Sequence, residues 1–140
     1  RWYGRGPWEN YPDRKASANV GLYSMRVDDQ ELPYVMPQEY GLRCDVDWLE
    51  LRHDSDKQQA TGGLRIEAVS APMAFSAVPY TAEQLFKSTR VTQLQKGSEF
   101  LLSLDHAHRG LGTASCGPDT HPAYQLNQPV YQWQYRVSVI

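Results

Sequence analysis

The feature that most constrains the fold of this sequence is a regular alternation near its C-terminus. From Tyr131 to Val139, every second residue is aromatic or β-branched, and the residues between them are polar. A period of two places one set of side chains on each face of a β-strand. The pattern therefore predicts a strand over 131–140 with one apolar face and one mostly solvated face, as in an antiparallel sheet that packs on one side.

Related patterns predict further strands along the chain. Within Phe100–His106, the alternate residues Phe100, Leu102 and Leu104 form one apolar set. Shorter segments with similar patterns predict strands at 20–27, 45–53, 63–69, 73–77, 89–94 and 123–126. Sheets are therefore expected to account for most of the regular structure.

The predicted strand at 45–53 changes phase along its length. Val46 and Trp48 share one face, whereas Leu49 and Leu51 share the other. A β-bulge near Trp48 or Leu49 would reconcile the two halves, and otherwise both faces are covered. The polar residues 53–63 that follow predict an exposed hairpin loop.

A single segment predicts a helix. Thr81 and Gln84 match the capping box, in which each of the two side chains accepts a hydrogen bond from the backbone of the other residue. A short helix is expected from Ala82 to about Ser88. Repeated short strands separated by turns, with one short helix, predict an all-β fold of the β-sandwich type.

The first 14 residues are dense in aromatic, glycine, proline and charged residues, and they predict a structured loop. Trp8 and Tyr11 would suit a platform for stacking on a sugar, and Glu9 with Asp13 would suit an acid/base pair, because glycoside hydrolysis needs two carboxylates that flank one bond. Alternatively, the aromatic residues are packed, and the carboxylates pair with arginines of the same segment. We favour this second interpretation, since two acids four residues apart are a common coincidence.

A glycine-rich loop follows the strand Phe100–His106. Gly110, Gly112, Gly117 and Pro118 permit positive φ angles and sharp reversals that a continuous strand or helix does not need. Long ordered loops on a rigid β scaffold often carry binding residues. On pattern alone, however, a plain connection without a ligand is the favoured interpretation.

Length and charge exclude several classes of protein. The 140 residues suit one domain, and the formal net charge of −2 favours neither nucleic acid nor an anionic membrane as a partner. No apolar run is long enough to cross a bilayer. Because aromatic residues follow Arg1 at once, we expect a fragment of a larger chain. Cys44 and Cys116 are expected to be reduced, since two cysteines make neither a disulfide framework nor a zinc site.

Four segments, in this order, resemble a known family. They span residues 3–14 (YGRGPWENYPDR), 33–43 (PYVMPQEYGLR), 75–81 (FSAVPYT) and 108–119 (HRGLGTASCGPD). Together they resemble the C-terminal region (small chain, domain 5) of large bacterial β-galactosidases of glycoside hydrolase family 2. The resemblance covers the chain, residues 1–140, nearly from end to end.

The resemblance implies both a fold and a non-catalytic role. The fold would be the C-terminal part of an antiparallel supersandwich, similar to galactose mutarotase, beside a catalytic (β/α)₈ barrel that lies earlier in the same polypeptide. Two glutamates of that barrel perform retaining hydrolysis of galactosides, with magnesium and sodium nearby. None of these groups falls on this sequence, so we expect no catalytic residue, metal ligand or cofactor here. The parent enzyme is expected to be a cytoplasmic or, alternatively, periplasmic homo-oligomer.

The resemblance also assigns a role to the glycine-rich loop, residues 105–122. In the family, the tip of this loop reaches the mouth of the active site and contributes one side chain to the sugar pocket. That side chain falls at or beside Cys116, and the expected substrate-binding residues are Ser115, Cys116, Gly117 and Asp119. Some familiar members carry tryptophan there, and a cysteine does not stack on a sugar face as an indole does.

Two further hypotheses belong to other functional classes. A free-standing carbohydrate-binding module would use Trp2, Trp8 and Tyr11 as its platform. An aldose epimerase would use His106 or His108 as its base, by analogy of fold alone. That analogy is weak, because a fold does not determine a function.

Overall fold

A computed structural model describes residues 1–53, 62–113 and 116–140. The strands, numbered in chain order, are β1 (Trp2–Gly6), β2 (Asn19–Tyr23), β3 (Arg43–Val46), β4 (Trp48–Arg52), β5 (Gly63–Ala68), β6 (Met73–Val78), β7 (Leu101–Asp105) and β8 (Tyr135–Val139). Within the described ranges the only α-helix is α1 (Ala82–Lys87), and short 3₁₀ turns span Asp28–Gln30, Val91–Gln93 and Pro122–Tyr124. None of the helices in these ranges is long and apolar enough to cross a membrane.

The strands form two antiparallel sheets. The larger has the order β2-β1-β4-β5-β8, and the smaller has the order β3-β6-β7. In the larger sheet Trp2 lies opposite Leu49, Leu49 opposite Ile66, and Ile66 opposite Val137. These residues therefore share one face of the sheet, and that face turns towards the smaller sheet.

The core lies between the two sheets. Its buried residues come from both of them: Trp2, Val46, Leu49, Ile66, Met73 and Phe75. The rings of Trp2 and Phe75 meet edge to face, with centroids 5.7 Å apart. Strand β6 is buried along its whole length because it is the central strand of the smaller sheet. The predicted all-β, β-sandwich architecture is confirmed.

The phase change at 45–53 marks a change of sheet. β3 belongs to the smaller sheet and β4 to the larger one, with only Asp47 between them. The bulge predicted near Trp48 or Leu49 is therefore wrong, because the chain crosses between sheets and continues with the opposite face inward. The predicted hairpin connects the antiparallel neighbours β4 and β5, and its residues 54–61 lie outside the described residues.

The N-terminal segment is not wholly a loop, since its beginning is β1. Trp2, Gly4 and Gly6 point inward and are buried. A Cβ on Gly4 would lie 2.7 Å from the Cα of Val46, so only glycine fits where β1 crosses β3. The alternation is present, but glycines occupy two of its three inward positions and conceal it from a hydrophobicity pattern.

The capping box is confirmed. The backbone amide of Gln84 donates to the Oγ1 of Thr81, and the backbone amide of Thr81 donates to the Oε1 of Gln84. Helix α1 follows, and Leu85 is its buried residue.

Two short predicted strands are wrong, because local hydrogen bonds turn the backbone instead. At 89–94, the amides of Thr89 and Arg90 donate to the side chain of Gln93, and a 3₁₀ turn forms. At 123–126, Pro122 begins another 3₁₀ turn, and the amide of Ala123 donates to the ring of His121.

The strand observed at the C-terminus is half as long as the strand predicted over 131–140. Regular pairing is limited to β8, which is an edge strand next to β5. Its apolar face is largely uncovered, with Val139 82% exposed. The smaller sheet covers the opposite end of the larger one, around Trp2, and in the described residues it does not extend to β8.

Candidate functional site

The base of the glycine-rich loop is fixed to the N-terminal segment by Asp13. Its Oδ1 accepts a hydrogen bond from the amide of Leu111 (3.0 Å), and its Oδ2 accepts one from the amide of Gly112 (2.8 Å). Partial burial raises the pKa of Asp13, but the two amides outweigh this effect and hold the pKa below its ordinary value. The carboxylate is therefore ionised at neutral pH.

Further hydrogen bonds hold the two arms of the loop together. The hydroxyl of the buried Thr120 donates to the carbonyl of Gly110 at 2.9 Å, and the amide of Gly110 donates to the carbonyl of Tyr124 at 2.9 Å. Gly112 has φ = 67°, a left-handed conformation that favours glycine. Of the loop glycines expected to permit positive φ angles, Gly112 adopts one, whereas Gly110 and Gly117 do not.

The tip of the loop carries the residues expected to bind substrate. Cys116, Gly117 and Asp119 are all exposed, and Ser115 lies outside the described residues. The Asp119 carboxylate is already engaged, since it accepts hydrogen bonds from the Thr120 amide and pairs with Arg109. These two contacts hold the pKa of Asp119 below its ordinary value. Asp119 thus shapes the tip from within.

Glu9 lies at the centre of a second hydrogen-bonded group. Its carboxylate accepts from the hydroxyls of Tyr11 and Tyr34 and from the amide of Gly41, the last at 2.8 Å. Burial, together with the nearby Glu9 carboxylate, raises the pKa of Tyr11 well above its ordinary value. Burial and the hydrogen bond to Glu9 raise the pKa of Tyr34 to about 12. Both phenols therefore stay protonated and act as donors to Glu9.

Glu9 also supplies negative charge near a buried cation. Arg43 is only 3% exposed, and its guanidinium donates to the carbonyls of Pro7 and Gly41 and lies over the ring of Trp2. Burial lowers the pKa of Arg43, and the field of Glu9 opposes that shift. Because a buried charge is costly without compensation, Glu9 stabilises Arg43 in its charged form.

The predicted partners of the N-terminal carboxylates are wrong. Arg5 pairs with Asp45 (2.6 Å) and not with Glu9 or Asp13. Among the described residues, Arg14 forms no ion pair with either carboxylate. The acid/base pair is equally unsupported, because Glu9 binds tyrosines and Asp13 binds the loop. Sequence reasoning missed both roles, since every partner except Tyr11 lies 25 to 99 residues away along the chain.

A cleft of about 600 Å³ lies between the N-terminal segment and the loop. Residues 34–42 form a third wall. Its polar and aromatic lining includes Glu9, Tyr11, Arg14, Tyr34, Glu39 and His108. The ring of His108, from the loop, lies 5.7 Å from the ring of Tyr11. The cleft therefore joins the Glu9 group to the base of the loop.

The aromatic platform suggested for a binding module is not formed. Trp2 is 2% exposed, and its indole donates to the carbonyl of Arg5 at 2.9 Å. Trp8 is 65% exposed, contrary to the interpretation that the aromatic residues of this segment are packed. Tyr11 is half-buried against Glu9. The three rings therefore lie in three different environments.

The two histidines proposed as bases contact different aromatic rings, and the two cysteines differ in burial. The ring of His106 stacks on Trp133 with centroids 6.2 Å apart, whereas His108 contacts Tyr11. Cys44 is buried, and burial raises the pKa of its thiol to about 11. Cys116 is exposed, and no disulfide joins the two, both of which are described. In the described ranges, no group of three or more His, Cys, Asp or Glu side chains is arranged to hold a metal ion.

Comparison with known proteins gives the family. The family model described as "Beta galactosidase small chain" matches residues 1–138. A β-galactosidase of Vibrio cholerae serotype O1 is 39% identical over 139 residues, which are 99% of this chain and 12% of that protein. β-Galactosidases of Vibrio vulnificus (strain CMCP6) and Arthrobacter sp. (strain B7) are 34% and 36% identical over 98% and 89% of this chain.

The matched part is small in each relative. The chain spans 12% of the length of the Vibrio and Arthrobacter proteins. The all-β fold agrees with the motif resemblance, and the family model covers almost every residue. The chain belongs to the β-galactosidase small chain family.

Proposed function

We propose that this chain is the non-catalytic C-terminal domain of a β-galactosidase that hydrolyses terminal β-D-galactosides such as lactose. The observation that carries the proposal is the match of residues 1–138 to the small chain family, with relatives named β-galactosidases that are about eight times longer. Its partners are the catalytic barrel of the same polypeptide and, through the barrel's active site, the galactoside.

The loop at 105–122 is the part of the domain assigned to the sugar site. Its base is fixed by Asp13 and Thr120, whereas Cys116 and Gly117 are exposed at its tip. A fixed base and an exposed tip suit a segment that inserts one or two side chains into a neighbouring site, because preorganisation lowers the entropic cost of binding. Cys116, with Ser115 beside it, is the residue proposed to face the sugar, and Asp119 holds the shape of the tip.

Magnesium and sodium, which the resemblance implies for the parent enzyme, are proposed to bind near the barrel. They are assigned no role in this domain. Its own residues bind and position, and the hydrolytic step belongs to the barrel glutamates.

Kinetics of the full-length enzyme test the role of the loop. Cys116→Trp is expected to change the binding of the aglycone, and Asp119→Ala is expected to loosen the tip. For each variant, KM or kcat/KM should change about ten- to hundredfold, since a contact in such a site contributes about 1 to 3 kcal/mol. Lactose and an activated aryl galactoside should both be assayed. Wild-type values for both variants on both substrates would show that the loop is a plain connection.

The isolated chain distinguishes this proposal from its alternatives. It should not hydrolyse a chromogenic galactoside, and reproducible turnover by the pure chain would contradict the non-catalytic role. Isothermal titration with galactose and lactose tests the free-standing binding module, which the burial of Trp2 disfavours. NMR of galactose anomers tests the epimerase.

A further inference from the structure

Asp13 makes the longest-range polar contact to the loop base. Its two carboxylate oxygens accept from two consecutive backbone amides, those of Leu111 and Gly112, which lie 98 and 99 residues away in sequence. Consecutive amides that point at one anion form a compact binding concavity for negative charge. Here the anion is the Asp13 side chain of the same chain, so the contact attaches the loop base to the N-terminal segment.

The contact between Asp13 and the loop base is also tightly packed. A Cβ on Gly110 would lie 2.8 Å from the Cγ and Oδ2 of Asp13 and 2.8 Å from the Cβ of Tyr124. The space that a side chain at position 110 would need is therefore filled by the Asp13 carboxyl and Tyr124. Gly112, with its positive φ, directs its amide to the second oxygen. Both glycines are needed for the carboxylate to reach the backbone.

An amide side chain does not reproduce this contact. Both oxygens of the carboxylate accept, whereas an asparagine has one accepting oxygen and one donating NH₂ group. In Asp13→Asn one loop amide therefore faces a donor and loses its partner. The same change leaves side-chain volume nearly unaltered, so it tests the hydrogen bonds separately from packing.

We propose that Asp13 is a positioning residue for substrate binding: its carboxylate fixes the turn at Leu111–Gly112 and thereby the placement of the tip residues Cys116 and Gly117. This inference rests on the proposed function of the loop. The role of Asp13 is indirect, because both oxygens of its carboxylate are engaged by the loop amides. Its effect reaches the sugar only through the loop backbone.

The test uses the full-length enzyme that contains this chain. Asp13→Asn is compared with wild type and with Asp29→Asn, a matched control at an exposed aspartate whose side chain has no hydrogen bond or ion pair within the described residues. Amide hydrogen exchange of peptides covering the loop measures how firmly the amides of Leu111 and Gly112 are held by Asp13. KM and kcat on lactose and on an aryl galactoside measure its consequence.

For Asp13→Asn, exchange in the peptides that contain Leu111 and Gly112 should become about tenfold faster, because local opening is no longer opposed by the second charge-assisted bond. KM should rise about three- to tenfold, with kcat changed less than about twofold. Such a split separates positioning from general damage, which would lower the amount of active enzyme and therefore kcat. Asp29→Asn should match wild type in both readouts.

A second variant approaches the same contact from the loop. Gly110→Ala places a methyl group against the Asp13 carboxyl and should reproduce the increase in KM, even where Asp13→Asn folds poorly. Unchanged hydrogen exchange in both variants would contradict the claim that Asp13 holds the loop base, whether or not the loop acts on substrate. Faster exchange with wild-type KM would overturn the positioning role. The Cys116→Trp and Asp119→Ala enzymes then show whether the loop itself matters. If either variant alters KM or kcat/KM, the proposed role of the loop stands without Asp13, and if neither does, both proposals about the loop fail.

Discussion

The first and last strands of this chain behave in opposite ways. β1 has an inconspicuous sequence with two glycines, yet Trp2 is in the centre of the core. β8 has a regular alternation, yet its apolar residues lie at the edge of the larger sheet, where the smaller sheet does not cover them, and Val139 is the most exposed of them. Alternation reports which residues share a face, and the covering layer decides whether that face is buried.

The largest expected effect is at Trp2. Trp2→Ala removes a fully buried ring that packs against Phe75 and Tyr23, and it should lower the free energy of unfolding by about 3 to 5 kcal/mol. Trp8→Ala, the matched control, removes an exposed ring and should change it by less than about 0.5 kcal/mol. Urea denaturation followed by circular dichroism measures both. Equal losses of unfolding free energy in the two variants would contradict the assignment of Trp2 to the core and Trp8 to the surface.

Glu9→Gln should have a smaller but clear effect. The glutamine amide does not accept from Tyr11, Tyr34 and Gly41 together, and Arg43 loses its nearby negative charge. We expect a loss of about 2 kcal/mol in the free energy of unfolding. The control is Glu83→Gln on α1, which breaks an exposed pair with Lys87 and should cost less than about 0.5 kcal/mol. If the free energy of unfolding falls equally little in Glu9→Gln and Glu83→Gln, Glu9 does not stabilise the buried cation.

Asp13 makes the stability of the N-terminal region depend on pH. Because its pKa is lower in the folded state, its stabilisation is present above the unfolded pKa of about 4 and is lost as the pH falls through the folded value. The difference in unfolding free energy between wild type and Asp13→Asn should therefore narrow as the pH falls from about 6 to about 3. Denaturation at a series of pH values measures it. A constant difference would mean that the charge of Asp13 is irrelevant.

The smallest effect is expected in β8. Val139→Ala should change the free energy of unfolding of the isolated chain by less than about 0.5 kcal/mol, because the side chain is already largely in water. Val46→Ala, the same substitution at a fully buried position, should cost about 2 to 3 kcal/mol. The two variants compare the same Val→Ala change at an exposed position in β8 and at a buried position in the core. A large loss at Val139 would show that β8 is covered in solution.

Local signals in the sequence predicted local structure well. The capping box at Thr81 and Gln84 forms as expected, and strand β7 ends where the glycine-rich loop begins. The sandwich class followed from the number and spacing of short strands. At 89–94 and 123–126 the same kind of evidence was misleading, because side chains of Gln93 and His121 accept backbone hydrogen bonds and favour turns.

The organisation around the loop was not predictable in the same way. The contact from Asp13 to Gly112 and the one from Tyr34 to Glu9 depend on how distant segments meet. No periodicity encodes such pairs, and spacing along the chain suggested other partners. The glycine and proline pattern located the loop, whereas the residues that hold it became visible only with the fold.

The position of β8 affects how the isolated chain is expected to behave in solution. An edge strand presents a row of backbone donors and acceptors to solvent, and a β-branched edge is a template on which another strand can assemble. In the described residues no strand lies beyond β8, and Val137 and Val139 are both exposed. The isolated chain is therefore expected to self-associate as its concentration rises, and a lysine substituted at position 137 or 139 would act as a gatekeeper that keeps it soluble.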